Sequence, residues 1–373
     1  MASAALRIVA AAFAFALLME APAAMADVRT AQVSRTWDWL RDRIFGPREV
    51  PNEAAAALDR QGGARVLLRL DDEALRKEIL DGLRNDVRRL LREGRIGFAD
   101  LAVNDGSVDV RIRENYDLQK ALAKLAEASV LPAGSPGSSV EVKELGDRLV
   151  RLAPTQRALD DRLGASRERA VSVLMQRIKD FSIGGAGVQP EGRLGILLLL
   201  PGVAEPERLT RTLISPAKLT FRLIDTSMRA SDATEGRAPL DSKVLLGFKT
   251  KELYLVRKAV ELGGQDIADA QPAFDSRTSE PIVSFRFTPN GARRFAQVTL
   301  ENVGRPFAIV LDEEVISAPV IREPILGGVG QISGGFTVQE ALNLSIYLRT
   351  GALPPLVVVE QRIVAPASGA EKK

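Results

Sequence analysis

Residues 307–355 read FAIVLDEEVISAPVIREPILGGVGQISGGFTVQEALNLSIYLRTGALPP. Phe307–Leu311 is an apolar run of strand length. Asp312, Glu313 and Glu314 are polar and turn the chain. Residues 315–321 form a second extended segment, broken by Pro319. Gly327, Gly328, Gly330, Gly334 and Gly335 follow within nine residues. Such density predicts backbone that needs positive φ or close approach rather than regular structure. Thr337 then opens a helix, with Glu340 three residues on as a capping box. Ala341, Leu342, Leu344, Ser345 and Leu348 make its packing face. Gly351 is placed to end it, and Pro354 and Pro355 forbid continuation. An apolar strand over 356–364 closes the stretch.

Working toward the N-terminus, 289–303 is predicted to be a helix with Asn290 as its cap, and 281–287 and 252–256 to be strands. Residues 226–243 are polar and read as the way into a second lobe. Before them lie a strand at 219–224, a short helix at 206–213 and an almost wholly apolar strand at 194–200. Residues 155–181 read as a long helix interrupted at Gly164. Residues 132–139, PAGSPGSS, read as a flexible break. Residues 72–92 form an amphipathic helix carrying Leu75, Ile79, Leu83, Val87 and Leu90 on one face. Two strands flank the hairpin signal Asn104-Asp105-Gly106, and a second helix covers 117–128. With a strand at 65–70, this order predicts the start of a ferredoxin-like unit. Asp59, before Gly62 and Gly63, reads as a local turn or cap.

Residues 1–26 read as a secretory signal. Arg7 supplies the charge, 8–19 is an apolar core too short to span a bilayer, and Ala24-Met25-Ala26 is a cleavage site. Processing after Ala26 would deliver the chain to the periplasm; the alternative is an uncleaved anchor in the inner membrane. Residues 27–54, with Trp37 and Trp39, read as a loosely structured leader.

The 373 residues carry 51 basic and 48 acidic side chains, interleaved along the chain. No basic run has aromatic residues set among it, so nucleic acid is not an expected partner. The sequence contains no cysteine and no histidine. That removes disulfides, thiolate metal sites, the commonest general base and every mechanism pairing histidine with serine or cysteine. No spacing marks a Ser-Lys nucleophile. The glycine loop lacks the Lys-Ser/Thr pair of a phosphate loop. Asp312, Glu313 and Glu314 lack complementary metal-ligand spacing. No catalytic, cofactor or metal residue is assigned. Phe336, Ile325 and Ile332 are the candidate contacts for a polypeptide or partner, with a core role for Phe336 as the competing reading.

Several stretches together resemble one family. VISAPVIREPILGG, QISGGFT, GALP, the LDRQGG box at 58–63, LLPGV at 199–203, LTFRLID at 219–225 and VEQRIVAP at 359–366 are similar to the first periplasmic domain of SecD, an accessory membrane subunit of the bacterial Sec export machinery. Arg60 and Ala365 depart from the family's apolar residue and glycine. The resemblance implies an α+β fold: a ferredoxin-like base over 55–225 and 355–365, an inserted α+β head over 226–354, and a disordered tail at 366–373. It implies structural roles for Asp59, Gly62, Gly63, Pro319, Pro324, Gly327, Gly328, Gly334, Gly335, Gly351 and Pro354. It implies a periplasmic module that holds exported or unfolded polypeptide without catalysis or cofactor, with SecYEG and SecF as possible partners and without the family's transmembrane, proton-carrying part. An envelope adaptor reusing the same fold, with no export role, is the alternative.

Overall fold

The computed structural model describes residues 51–131, 138–234 and 237–366. The expected signal, most of the leader, most of the 132–139 break and all but the first residue of the tail lie outside these residues.

In chain order the first part comprises α1 (Pro51–Gln61), β1 (Gly63–Leu70), α2 (Asp72–Glu93), β2 (Phe98–Asn104), β3 (Ser107–Ile112), α3 (Leu118–Leu125), β4 (Val140–Glu144), β5 (Leu149–Pro154), α4 (Gln156–Asp180), β6 (Gly187–Glu191), β7 (Gly195–Pro201) and α5 (Pro206–Ile214). The second comprises β8 (Leu219–Leu223), β9 (Ser242–Gly247), β10 (Leu253–Arg257), β11 (Leu262–Gly263), β12 (Ile267–Phe274), β13 (Pro281–Phe287), α6 (Pro289–Glu301), β14 (Phe307–Leu311), β15 (Glu314–Ser317), β16 (Val329–Ile332) and α7 (Val338–Thr350). The last strand is β17 (Leu356–Val364).

The fold is α+β. Its first sheet has the order β17-β1-β7-β6, antiparallel throughout. Strands β1, β6, β7 and β17 with helices α4 and α5 make a β-α-β-β-α-β unit with ferredoxin-like strand order. β7 is apolar along its length because both of its faces are covered. Ile196, Leu198 and Leu200 join the core with Ala170, Leu174 and Ile178 of α4. Leu197 and Leu199 pack with Ala54 and Leu58 of α1.

The unit is not built from the elements that the sequence order suggested. Both edges of β1 are taken, by β7 and β17, so the 98–112 hairpin has no edge to join. Instead α2, α3 and β2 to β5 form a second module with sheet order β2-β3-β5-β4 and its own core, including Leu83, Val87, Val110, Ile112 and Leu152. Four further expectations are corrected. Pro51–Gln61 is helical, so the leader's last residues are ordered and Asp59 is an exposed helix residue rather than a turn. Helix α4 runs unbroken through Gly164, because its buried face from Ala158 to Ile178 outweighs the ~1 kcal/mol a helical glycine costs. Thr288, not Asn290, caps α6; its hydroxyl accepts from Gly291 N at 3.1 Å and Pro289 takes the first helical position. Finally, β8 pairs with β14 and β11, so 219–223 belongs to the head's sheet and not to the base.

The head is two sheets on one core. The six-stranded sheet runs β10-β9-β15-β14-β8-β11 and the three-stranded sheet β12-β13-β16. Between them Phe221, Phe285, Phe287, Phe295 and Phe307 form a connected group, with Phe287 and Phe295 centroids 4.8 Å apart. The head is entered through 215–218 and left through 351–355, two strands of chain that make a neck.

Candidate functional site

The glycine stretch holds more regular structure than its composition suggests. Four of its residues form β16, paired antiparallel with β13. Gly330 sits against a ring: a Cβ there would lie 2.5 Å from Phe285 Cζ. Gly328 has φ +62° and faces Ala292 of α6. Gly334 packs on the Phe336 ring and Gly335 takes φ +61°. These positions serve close approach to the phenylalanine core. Gly327 has open space around it. At the other signature, Gly62 and Gly63 both have positive φ, where α1 turns into β1 between Val364 and Leu200.

The candidate contacts divide accordingly. Phe336 and Ile332 are buried members of the head core, and Ile325 packs half-buried against it. The first two side chains are therefore core residues and not surface contacts. The capping box of α7 is present: Thr337 N donates to Glu340 Oε2 at 2.7 Å, and Glu340 N to Thr337 Oγ1 at 3.2 Å. Glu340 also accepts from Lys249, and that ammonium, with the Thr337 amide, holds its carboxyl below the usual range. Gly351 has φ +81° and its amide returns to Tyr347 O at 2.9 Å, before Pro354.

Beside Ile325 lies an apolar surface. Gly304 N donates to Ile321 O at 2.7 Å and Phe307 N to Pro319 O at 2.8 Å. Ile325 N donates to Thr299 Oγ1 at 3.0 Å. The segment from Pro319 through Pro324 to Gly328 thus runs back along the C-terminal turns of α6. Along this seam Leu300, Val303, Val320 and Leu326 are 62%, 48%, 53% and 74% exposed. An apolar group of this kind on one ridge is the signature of a contact surface. Sequence reading stopped one residue short of it, at Ile325; the exposed faces of α6 and the loop are set by long-range packing.

The neck is held by Arg177 of α4, which is fully buried. Its Nη1 donates to Leu213 O and Ser215 O, both at 2.6 Å; Nη2 reaches Gly351 O at 3.1 Å and Nε reaches Thr350 Oγ1 at 3.3 Å. One guanidinium therefore binds both the entry to the head and the exit from it. The group stands 4.8 Å over the Tyr347 ring, whose hydroxyl donates to Thr212 O. Burial pushes Arg177 down to about 10, against the opposing influence of Tyr347 and Asp312, so it remains a cation at neutral pH. Asp312 itself, in a turn with positive φ, accepts from Ala217 N and Lys218 N. Of the acidic triplet, Asp312 and Glu313 thus make a turn that caps the neck while Glu314 opens β15, and Glu313 pairs with Lys243. An arginine among Val173, Leu174 and Ile178 on an apolar helix face was the signal that sequence reading passed over.

Below the neck a groove of about 320 Å³ lies between base and head, lined by Phe181, Val203, Leu209, Thr212, Gln339 and Asn343, with Glu205 and Arg208 at its rim. The perturbed carboxylates lie elsewhere and are explained by local donors. Asp109 is lowered by Arg151, and Asp225 by Ser242. Among the described residues no acidic cluster could hold a metal ion, and no helix is long and apolar enough to cross a membrane.

Comparison with known proteins places two segments. Residues 242–355 match the family model described as the SecDF P1 head subdomain. Residues 167–226 match that of the N-terminal part of the P1 domain of protein translocase subunit SecDF. The chain is 33% identical over 315 residues to the protein translocase subunit SecD of Rickettsia bellii, covering 84% of this chain and 59% of that one. It is 34% identical over 322 residues to SecD of Acetobacter pasteurianus, covering 84% and 60%. It thus spans about 60% of the length of these curated relatives. A crystal structure of SecDF in a super-membrane-facing form aligns over 82% of this chain and 31% of that chain, at 25% identity and a TM-score of 0.48.

Proposed function

The chain belongs to the SecD family through its P1 domain, and on that footing we propose that it serves Sec-dependent protein export as a periplasmic polypeptide-binding module. Emerging or unfolded chains are held on the head, on the seam between α6 and the 319–328 loop. The carrying observation is the exposed row of Leu300, Val303, Val320 and Leu326. Its side chains offer extended, sequence-tolerant apolar contact, which is what a holder of diverse unfolded segments requires. The base–head groove, with Phe181 and Leu209, extends the apolar surface available to the same task. The work is binding and release, without a covalent step, and the Sec channel and SecF are the proposed neighbours.

The test is a photo-crosslinking residue at Leu326 or Val303 in cells exporting a stalled secretory precursor. The precursor is the expected adduct. Replacing Val320 and Leu326 by Asp should weaken binding of a labelled unfolded precursor at least about tenfold, since each apolar side chain buried is worth about 1.5–3 kcal/mol. Adducts that do not include translocating chains, with unchanged affinity in the Asp variant, would overturn the assignment.

A further inference from the structure

The groove between base and head closes at one end, where the C-terminal turns of α4 and α7 meet. Its head wall is the N-terminal half of α7, with Gln339 and Asn343, and its base wall carries Phe181, Leu209 and Thr212. At the closed end Phe181 packs edge-on to Tyr347, with centroids 6.3 Å apart, and the Tyr347 hydroxyl donates to Thr212 O at 2.9 Å.

An acid stands at this junction against local preference. Asp180 is the last residue of α4, where a carboxylate faces the negative end of the helix dipole. Within α4 it receives only a neutral donor, Gln176 Nε2 at 2.8 Å. Its charge is met from the head. Arg349 of α7 gives Asp180 Oδ2 two bonds, from Nε at 3.3 Å and Nη2 at 3.2 Å, while Nη1 donates to Ala270 O of β12 at 2.9 Å. The side chains of the acid and the arginine are 14% and 32% exposed, so the pair is partly shielded from solvent. A residue that breaks a local rule and is satisfied only across a junction points to that junction as what it serves.

The pair does a different job from Arg177, one turn earlier on α4. Arg177 binds the neck itself. The Asp180–Arg349 pair lies beside the neck and fixes the angle at which α7 leaves the base. At 1.5 Å per residue α7 runs about 16 Å from Arg349 back to Val338, so a change of about 10° at the pair moves the far end of the groove's head wall by about 3 Å.

We infer that Asp180 and Arg349 are positioning residues for polypeptide binding: their ion pair sets the width of the base–head groove, so that it takes the side chains of one extended segment. The inference rests on the reading of this groove as part of the polypeptide-binding surface.

The experiment measures the groove first and its occupant second. The sequence contains no cysteine, so E207C and V338C place one spin label on α5 and one on α7, the helices that wall the groove. Electron–electron double resonance should give a narrow distance distribution with both charges in place. D180N and R349Q should each broaden or shift it by about 3 Å, the displacement expected from the lever of α7, with circular dichroism confirming the fold. A merely structural role would lower stability without moving the labels. In cells, a photo-crosslinking residue at Gln339 should lose its adduct with a stalled secretory precursor by about threefold in both variants, while one at Leu326 keeps its adduct. Distance distributions identical to the parent's overturn the inference, and so does an unchanged yield at Gln339. Absence of precursor adducts at both positions in the parent sinks the polypeptide reading instead, and the distances still report whether the pair sets the groove.

Discussion

Arg177 and Gly351 are separated by 174 positions along the chain and joined by a 3.1 Å hydrogen bond, from the guanidinium of α4 to the carbonyl that ends α7. The same side chain holds Leu213 O and Ser215 O on the way into the head. Hydrogen bonds to a charged group contribute about 1.5–3 kcal/mol each, and their removal leaves buried carbonyls unsatisfied. R177M keeps the volume and deletes all four donated bonds. It is expected to cost about 3–5 kcal/mol, read as a fall in the urea midpoint. R177K keeps the charge but not the fork, and should recover only part of that loss. A variant within 1 kcal/mol of the parent would show that the neck is held by packing alone.

The glycines of the head loop separate into two kinds. A methyl group at Gly330 would meet the Phe285 ring at 2.5 Å, whereas one at Gly327 meets nothing within 4 Å. G330A should therefore displace a ring of the core and cost about 1–3 kcal/mol. G327A should be neutral or slightly stabilising, by up to about 1 kcal/mol, through the unfolded state. Equal effects in thermal denaturation would mean that the loop, and not the ring beneath it, dictates the glycines.

Asp109 and Arg151 sit directly opposite each other on β3 and β5. They are joined by two bonds of 2.8 and 2.7 Å, and Asn104 donates a third to the same carboxylate. Arg151 foremost holds the Asp109 carboxyl below its ordinary value of 3.8. The sign follows from that direction. A carboxyl depressed by folding contributes stability at and above its unfolded value, and the contribution is lost as pH falls through the folded one. D109N should cost about 1–2 kcal/mol at neutral pH. The gap between parent and variant should stay level down to about pH 5 and then close with further acidification. A gap that persists undiminished into strong acid would assign the loss to packing rather than to charge.

Legibility in the sequence followed the range of the interaction that decides each feature. Thr337, Glu340 and Gly351 were readable because caps are settled within one helical turn. The strands at Phe307–Leu311 and 356–364 were readable from short apolar runs, whereas the α+β class as a whole came with the family resemblance. The pairing of β1 with β7 was not readable, because β7 lies more than 120 residues away and its arrival, with β17 on the other side, denies the nearby hairpin an edge. Phe336 shows the same limit at a single position. An aromatic after two glycines reads as a core anchor or as a presented side chain, and the packing of Gly334 against its ring decides for the anchor. The surface row at Leu300 and Leu326 was hidden for the converse reason, since apolar residues on a helix and a neighbouring loop look like core until the burying element is known.

The capping box of α7 offers the sharpest local test, because its acid has a second duty. Glu340 Oε2 accepts from Thr337 N at 2.7 Å and from Lys249 Nζ at 2.7 Å, and Lys249 also donates to Gly335 O at 2.8 Å. The cap therefore ties the start of α7 to the loop after β9 as well as to itself. T337A removes one side-chain acceptor and should cost about 1 kcal/mol. E340Q keeps the shape but weakens the Lys249 pair, an exposed contact worth at most about 1 kcal/mol. Hydrogen exchange should distinguish the two: T337A raises exchange at the first turn of α7 alone, while E340Q also raises it around Gly335. Exchange confined to the first turn in both variants would mean that Lys249 contributes nothing to holding the loop.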